Sequence, residues 1–240
     1  MRVGLVSAKG SPGATTAALA LAAVTGGMVV EADPAGGDIE CWAGRRGEPG
    51  LIRVAGVLRH APAAAGVLAE HAIEVWPGVR AVLGPVGCEQ SESTLIALGE
   101  LLVTAVEAAE GWVLVDAGRW ARSQRTARRL AGCDVVAVVM SPTAAGVAQA
   151  AKLVEPVRQV GVAPVVGVLV GEHGYRAAEI AEATGLPIVG QLPWDPRWVQ
   201  TLVTVGASRL WRRSALARSA RSLTMELERV AAPREVVTGD

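Results

Sequence analysis

Lys9-Gly10-Ser11-Pro12-Gly13-Ala14-Thr15-Thr16 decides the reading of this 240-residue chain. These eight residues stand between an apolar run, Val3-Gly4-Leu5-Val6-Ser7, and an alanine- and leucine-rich stretch, Thr15 to Val24. A short apolar run bounded by turn residues reads as a buried strand, and the alanine-rich stretch as a helix. Strand, glycine-containing loop and helix in that order aim backbone N–H groups and a helix N-terminus at one spot, an arrangement suited to a phosphate.

The same rhythm continues along the chain. Further apolar runs stand at Met28 to Ala32, Val79 to Leu83, Trp112 to Val115, Val135 to Met140, Val165 to Val170 and Ile188 to Gln191. Unlike the alternating pattern of a half-exposed strand, they are apolar throughout, which predicts a sheet covered on both faces. Stretches rich in Ala, Leu and Arg lie between them, at Thr94 to Ala109, Ala144 to Val160 and Tyr175 to Thr184. Such alternation implies right-handed crossovers, hence an α/β chain with a mostly parallel, doubly wound sheet between two helical layers. Residues 41 to 78 show the weakest pattern, and helices are the expectation there. Ala207 to Val230 places Leu216, Ala220, Leu223, Leu227 and Val230 at helical spacing and predicts an amphipathic helix. The expected organisation is one domain over residues 1–230 and a polar, frayed tail over residues 231–240.

Composition narrows the function classes. The 23 basic and 23 acidic side chains cancel, so no field of the whole chain would draw it onto DNA or an anionic membrane, and either contact would have to be local. No charged residue occurs from Ser11 to Val30, but Ser-Pro-Gly opens that stretch and Gly26-Gly27 interrupts it, which reads as loop, helix and turn rather than a membrane span. The start of the chain lacks the pattern of a signal peptide, and Cys41, Cys88 and Cys133 lack metal-site spacing; both point to a cytoplasmic chain with reduced, mostly structural thiols. His60, His71 and His173 share no spacing with other ligand types and read as surface residues.

In an ordinary P-loop, G-x-x-x-x-G-K-[ST], the lysine reaches the phosphates and the hydroxyl binds magnesium. Here Thr15 supplies the hydroxyl, whereas Ala14 holds the lysine position. The loop resembles that of the MinD/ParA family of deviant Walker A ATPases, which carry a second, signature lysine where this chain has Lys9. The resemblance continues through Glu31-Ala32-Asp33-Pro34, similar to the family's D-x-D-P, and Val113-Leu114-Val115-Asp116-Ala117-Gly118, similar to its Walker B strand. Ser141-Pro142-Thr143 and the run Gly185 to Pro196 are similar to its later strand ends, so the resemblance covers nearly the whole chain. In style it is nearest to the CpaE/TadZ branch associated with pili, or to related chromosome-partitioning-like proteins.

The resemblance implies a set of roles. Lys9, Gly10, Ser11, Pro12, Gly13, Ala14, Thr15 and Thr16 would bind ATP, with Thr15 and Asp116 serving Mg2+. Asp33 would orient the attacking water, and Lys9 would reach the nucleotide of a second subunit in a homodimer that positions an unidentified protein partner. Two departures bear on activity. Ala14 removes a cation where charge-assisted contacts are worth about 1.5 to 3 kcal/mol each, and Gly171 stands where the family often has an adenine-reading asparagine. A slow ATP-dependent switch and an inactive pseudo-ATPase scaffold are therefore both open. Asp33 and Asp116 also have a plain reading as turn caps, Asp195 reads as a turn residue, and Trp194, Trp198 and Trp211 read as core filling.

Overall fold

Along each central strand of the computed structural model, successive side chains enter two different cores. In β1 (Arg2–Ser7), Val3 and Leu5 join one core and Val6 the other. Val135, Ala137 and Val139 of β6 (Val135–Met140) likewise oppose Val136, Val138 and Met140. This period-two partition explains why the strands read as unbroken apolar runs: both faces are dry. The structure describes residues 1–7, 13–45, 50–62, 66–120, 128–159 and 163–232.

The remaining strands are β2 (Met28–Glu31), β3 (Ile73–Trp76), β4 (Val79–Val82), β5 (Val113–Arg119), β7 (Val165–Val170) and β8 (Ile188–Leu192). They form an eight-stranded sheet in the order β3-β4-β2-β5-β1-β6-β7-β8, parallel except for the β3–β4 pair. β3 departs from expectation, for the 41 to 78 region contains this antiparallel edge strand as well as α2 (Ile39–Trp42), α3 (Gly50–His60) and α4 (Val67–His71). Two of its four residues, Ile73 and Glu74, are exposed, so it lacks the continuous apolar signature of the buried strands.

One face of the sheet carries α1 (Ala14–Thr25), α9 (Pro196–Val205) and α10 (Ala215–Ala231). The other carries α3, α5 (Cys88–Leu98), α6 (Glu100–Ala108), α7 (Ala144–Arg158) and α8 (Ala177–Thr184). The helix expected from Thr94 to Ala109 is two helices, broken at Gly99. The segment from Ala207 is likewise divided: a 3-10 turn, Trp211–Arg213, precedes α10, whose cap is Ser214. Asp195 is more than a turn residue, because its carboxylate accepts the Trp198 N–H and caps α9, with Pro196 in the first turn.

β1 lies between β5 and β6, and the chain leaves it toward β2 on one side while the β5-to-β6 connection passes to the other. In a doubly wound sheet such a reversal opens a crevice at the carboxyl ends of the strands, where ligands bind. The ends of β1, β2 and β5 therefore frame the site.

Candidate functional site

α1 begins at that crevice. Gly13 precedes it in the left-handed conformation, and among the described residues no side chain caps its N-terminus, so the first-turn N–H groups and the positive end of the helix dipole face the crevice. The first turn has no acidic residue. Ala14 is buried at 6% exposure, while Thr15 and Thr16 are partly exposed. Lys9, Gly10, Ser11 and Pro12, the remaining residues expected to bind nucleotide, lie outside the described residues.

Asp116 and Asp33 meet beside this helix end. Asp116 is 1% exposed, its Oδ1 accepts the Gly118 N–H at 3.0 Å, and its Oδ2 has no hydrogen-bond partner among the described residues. The Thr15 hydroxyl lies close enough to favour the ionised carboxylate, but burial dominates and pushes the Asp116 carboxyl up to about 6. Asp33 follows β2, and its Oδ1 accepts the Ala35 N–H at 2.8 Å. Burial raises the Asp33 carboxyl as well, against the Ala35 N–H and the positive charge of Arg129. Both acids thus make the local turn contacts of the plain reading and also share one site. Gly118 allows this convergence: at φ 57° a Cβ would stand 1.8 Å from Asp33 Oδ2.

Two groups hold this end of the sheet together. The Glu31 carboxylate accepts the N–H groups of Asp38 at 2.7 Å, Ile39 at 2.8 Å and Gly84 at 2.9 Å, tying the starts of α2 and the loop after β4 to β2. Burial outweighs these bonds and pushes Glu31 up to about 7. Arg129, in the 3-10 turn Arg128–Leu130, is 3% exposed and donates from Nη2 to the Ala117 carbonyl at 2.8 Å. Its charge is felt at Asp33 and Asp116, and burial lowers it to about 10. No role for either residue was legible in the sequence. Glu31 had one signal, an acid closing an apolar strand. Arg129 had none, since it is one of several arginines in an arginine-rich run.

A cavity of about 270 Å³ adjoins the start of α1, walled by Gly13, Ala17, Val170, Leu192, Trp194 and Val199. Trp194 is 65% exposed over it, against the expectation of core filling; Trp211 is fully buried as expected, and Trp198 packs partly on the core. Gly171, just past β7, has φ 105°, a conformation that opposes an asparagine there. Cys133 is buried, which fits a structural thiol, whereas Cys41 and Cys88 are exposed. His60 and His173 are exposed and His71 is partly buried, with Nδ1 2.9 Å from the Val67 carbonyl. Among the described residues no group of three His, Cys, Asp or Glu side chains is placed to hold a metal ion.

An eight-stranded, mostly parallel sheet between helical layers, with an open helix end beside Asp33 after β2 and Asp116 within β5, has the fold of solved P-loop NTPases. Solved structures of ParA and MinD proteins are among those it matches. A ParA family ATPase from Chlorobium tepidum superposes with a TM-score of 0.76 at 17% identity, covering 94% of this chain and 98% of that one. The septum site-determining protein MinD of Pyrococcus horikoshii, complexed with Mg-ADP, gives 0.74 at 17% identity over 96% and 97%. A chain of the MinC:MinD cell division protein complex of Aquifex aeolicus gives 0.67 at 12% identity, over 95% of each chain. At these identities the likeness is one of fold. Two uncharacterized proteins, one in each of two strains of Mycobacterium tuberculosis, are 29% identical over 241 residues and 97% of this chain. The chain spans 65% of the length of each. No family model matches the sequence.

Proposed function

We propose that the chain is a MinD/ParA-like nucleotide-binding protein that takes ATP with Mg2+ at the start of α1 and alters its self-association with the state of the phosphates. The observation that supports this reading is the convergence of the N-terminus of α1, which no described side chain caps, with Asp116, whose buried Oδ2 has no hydrogen-bond partner among the described residues. A buried, unsatisfied carboxylate oxygen is costly unless a ligand completes it.

The residues present suit a magnesium ion: oxygen donors, one ionisable, beside a helix end prepared for phosphate. Thr15 and Asp116 would hold it, and the ion would neutralise phosphate charge. Asp33, whose carboxyl is raised by burial, would accept a hydrogen bond from the attacking water. The phosphates would rest on the backbone N–H groups of Gly13 to Thr16, with Lys9 reaching the nucleotide of a second copy. The base would enter the cavity under Trp194. The output, as for the positioning ATPases that share the fold, would be placement of a cytoplasmic partner by a homodimer, in a pilus- or chromosome-partitioning-like setting.

Ala14 supports a second reading, a pseudo-ATPase that binds without turnover. The first helical position lacks the usual cation and its side chain is buried. Calorimetric titration with ATP and Mg2+, followed by phosphate release, separates the two. Binding with release is expected of a switch, and binding without release of a scaffold. Absence of binding at millimolar ATP would overturn both nucleotide readings. Ala14→Lys is expected to tighten ATP binding about tenfold, since a charge-assisted contact is worth about 1.5 kcal/mol or more. An unchanged affinity in this variant would show that the loop does not seat phosphate in the P-loop manner.

A further inference from the structure

Arg129 is not accounted for by the nucleotide reading. A guanidinium at 3% exposure is a rare group to bury, and it is retained only where charges or carbonyls compensate it. One compensation is the Ala117 carbonyl, which accepts from Nη2 at 2.8 Å. Ala117 lies between Asp116 and Gly118, and Gly118 is the residue against which Asp33 is packed. The guanidinium is therefore anchored to the very segment where the two acids converge, and its charge acts on both. Further negative charge comes from Asp38, which acts on Asp33.

Two carboxylates that converge out of water ordinarily attract a divalent cation, because each raises the cost of ionising the other. Here a fixed positive charge already answers them from within the fold. A second cation approaching the pair alone would meet Arg129 in a medium that screens little. One arriving with polyphosphate would bring its own excess of negative charge.

We infer that Arg129 is the internal counter-ion of the Asp33–Asp116 pair and bars free divalent cations from it, so that magnesium enters only together with nucleotide phosphates. The last clause rests on the nucleotide reading; the exclusion of free metal does not.

The test is titration of Mg2+ alone into the full chain by calorimetry, with thermal melts in parallel. The wild type is expected to show neither binding nor stabilisation at millimolar Mg2+. Arg129→Gln should bind Mg2+ about tenfold more tightly or better, and its Tm should rise on adding the ion. Arg129→Lys, which keeps the charge, should behave as the wild type. If Arg129→Gln does not fold, Arg129→Met fills similar volume without charge and is expected to show the same gain. Equal Mg2+ binding by wild type and the neutral variants, or none by any of them, would overturn the inference. A companion titration with ATP, with and without Mg2+, reads the nucleotide clause separately: failure of ATP to bind would sink the proposed function while the Mg2+ comparison still decided the role of Arg129.

Discussion

Two residues carry separable predictions. Glu31 accepts three backbone N–H bonds, yet burial pushes it up to about 7 from 4.5. The folded state thus holds a proton that the unfolded chain releases between those values, so stability from this group is present below about pH 4.5 and is lost as pH rises through 7. The shift corresponds to about 3 kcal/mol. Glu31→Gln turns an amide NH2 toward one backbone donor and is expected to cost about 1 to 3 kcal/mol at pH 5. The cost should shrink toward pH 8, as the wild type loses what the variant never had. Urea melts of the two proteins between pH 5 and 8 measure the difference, and a cost that grew with pH would contradict the assignment. Trp194 is the opposite case. Its exposure means that Trp194→Ala should leave the Tm within about a degree. Loss of base stacking worth about 1 to 3 kcal/mol should weaken ATP binding at least about fivefold by calorimetry.

At the scale of elements, the helices show which signals were legible. The α1 stretch was readable from composition, and its bounds fall within a residue or so of the expected ones, because alanine favours helix and eight of its residues, six of them alanines, could be buried without crowding the sheet. The break between α5 and α6 was not, since a single Gly99 inside a helical pattern is tolerated as often as it ends one. α9 was missed because its Asp195-Pro196 opening reads equally as a turn; only the Trp198 N–H on the Asp195 carboxylate distinguishes the two. Ser214 does the same for α10, accepting the Ala217 N–H at 3.0 Å. Ser214→Ala is expected to cost about 1 kcal/mol, seen as a fall of about 2 to 4 °C in Tm for a chain of this size.

On the scale of the whole molecule, α10 closes one layer. Leu216, Ala217, Ala220, Leu223 and Leu227 are buried, and Leu223 fits so closely over β8 that a Cβ on Gly190 would lie 2.8 Å from its Cδ1. The apolar stripe of this helix is therefore used inside the fold, as its spacing suggested, and is not free for a membrane. Among the described residues no helix is long and apolar enough to cross one. Truncation before residue 214 is expected to abolish cooperative unfolding and expose the face of α1, seen as loss of a sigmoidal melt and gain of dye-binding apolar surface.

The sequence by itself determined the class of fold and where a candidate site would be sought. Uninterrupted apolar strands, alternating helices and the loop at residues 9 to 16 are local signals, read through burial and backbone geometry alone. Asp33 and Asp116 were legible too, because each directly follows an apolar run in the sequence. Tertiary structure decided what acts on them. Arg129 is distant from Asp33 in sequence, and only the strand order β2-β5-β1 brings β2 and β5 together so that one guanidinium serves both acids. The same holds for Glu31, whose acceptors are satisfied from α2 and from the loop after β4, and for Trp194, left exposed over a cavity rather than packed. Charge pairing and solvent exposure depend on distances across the fold, and no spacing along the chain encodes them.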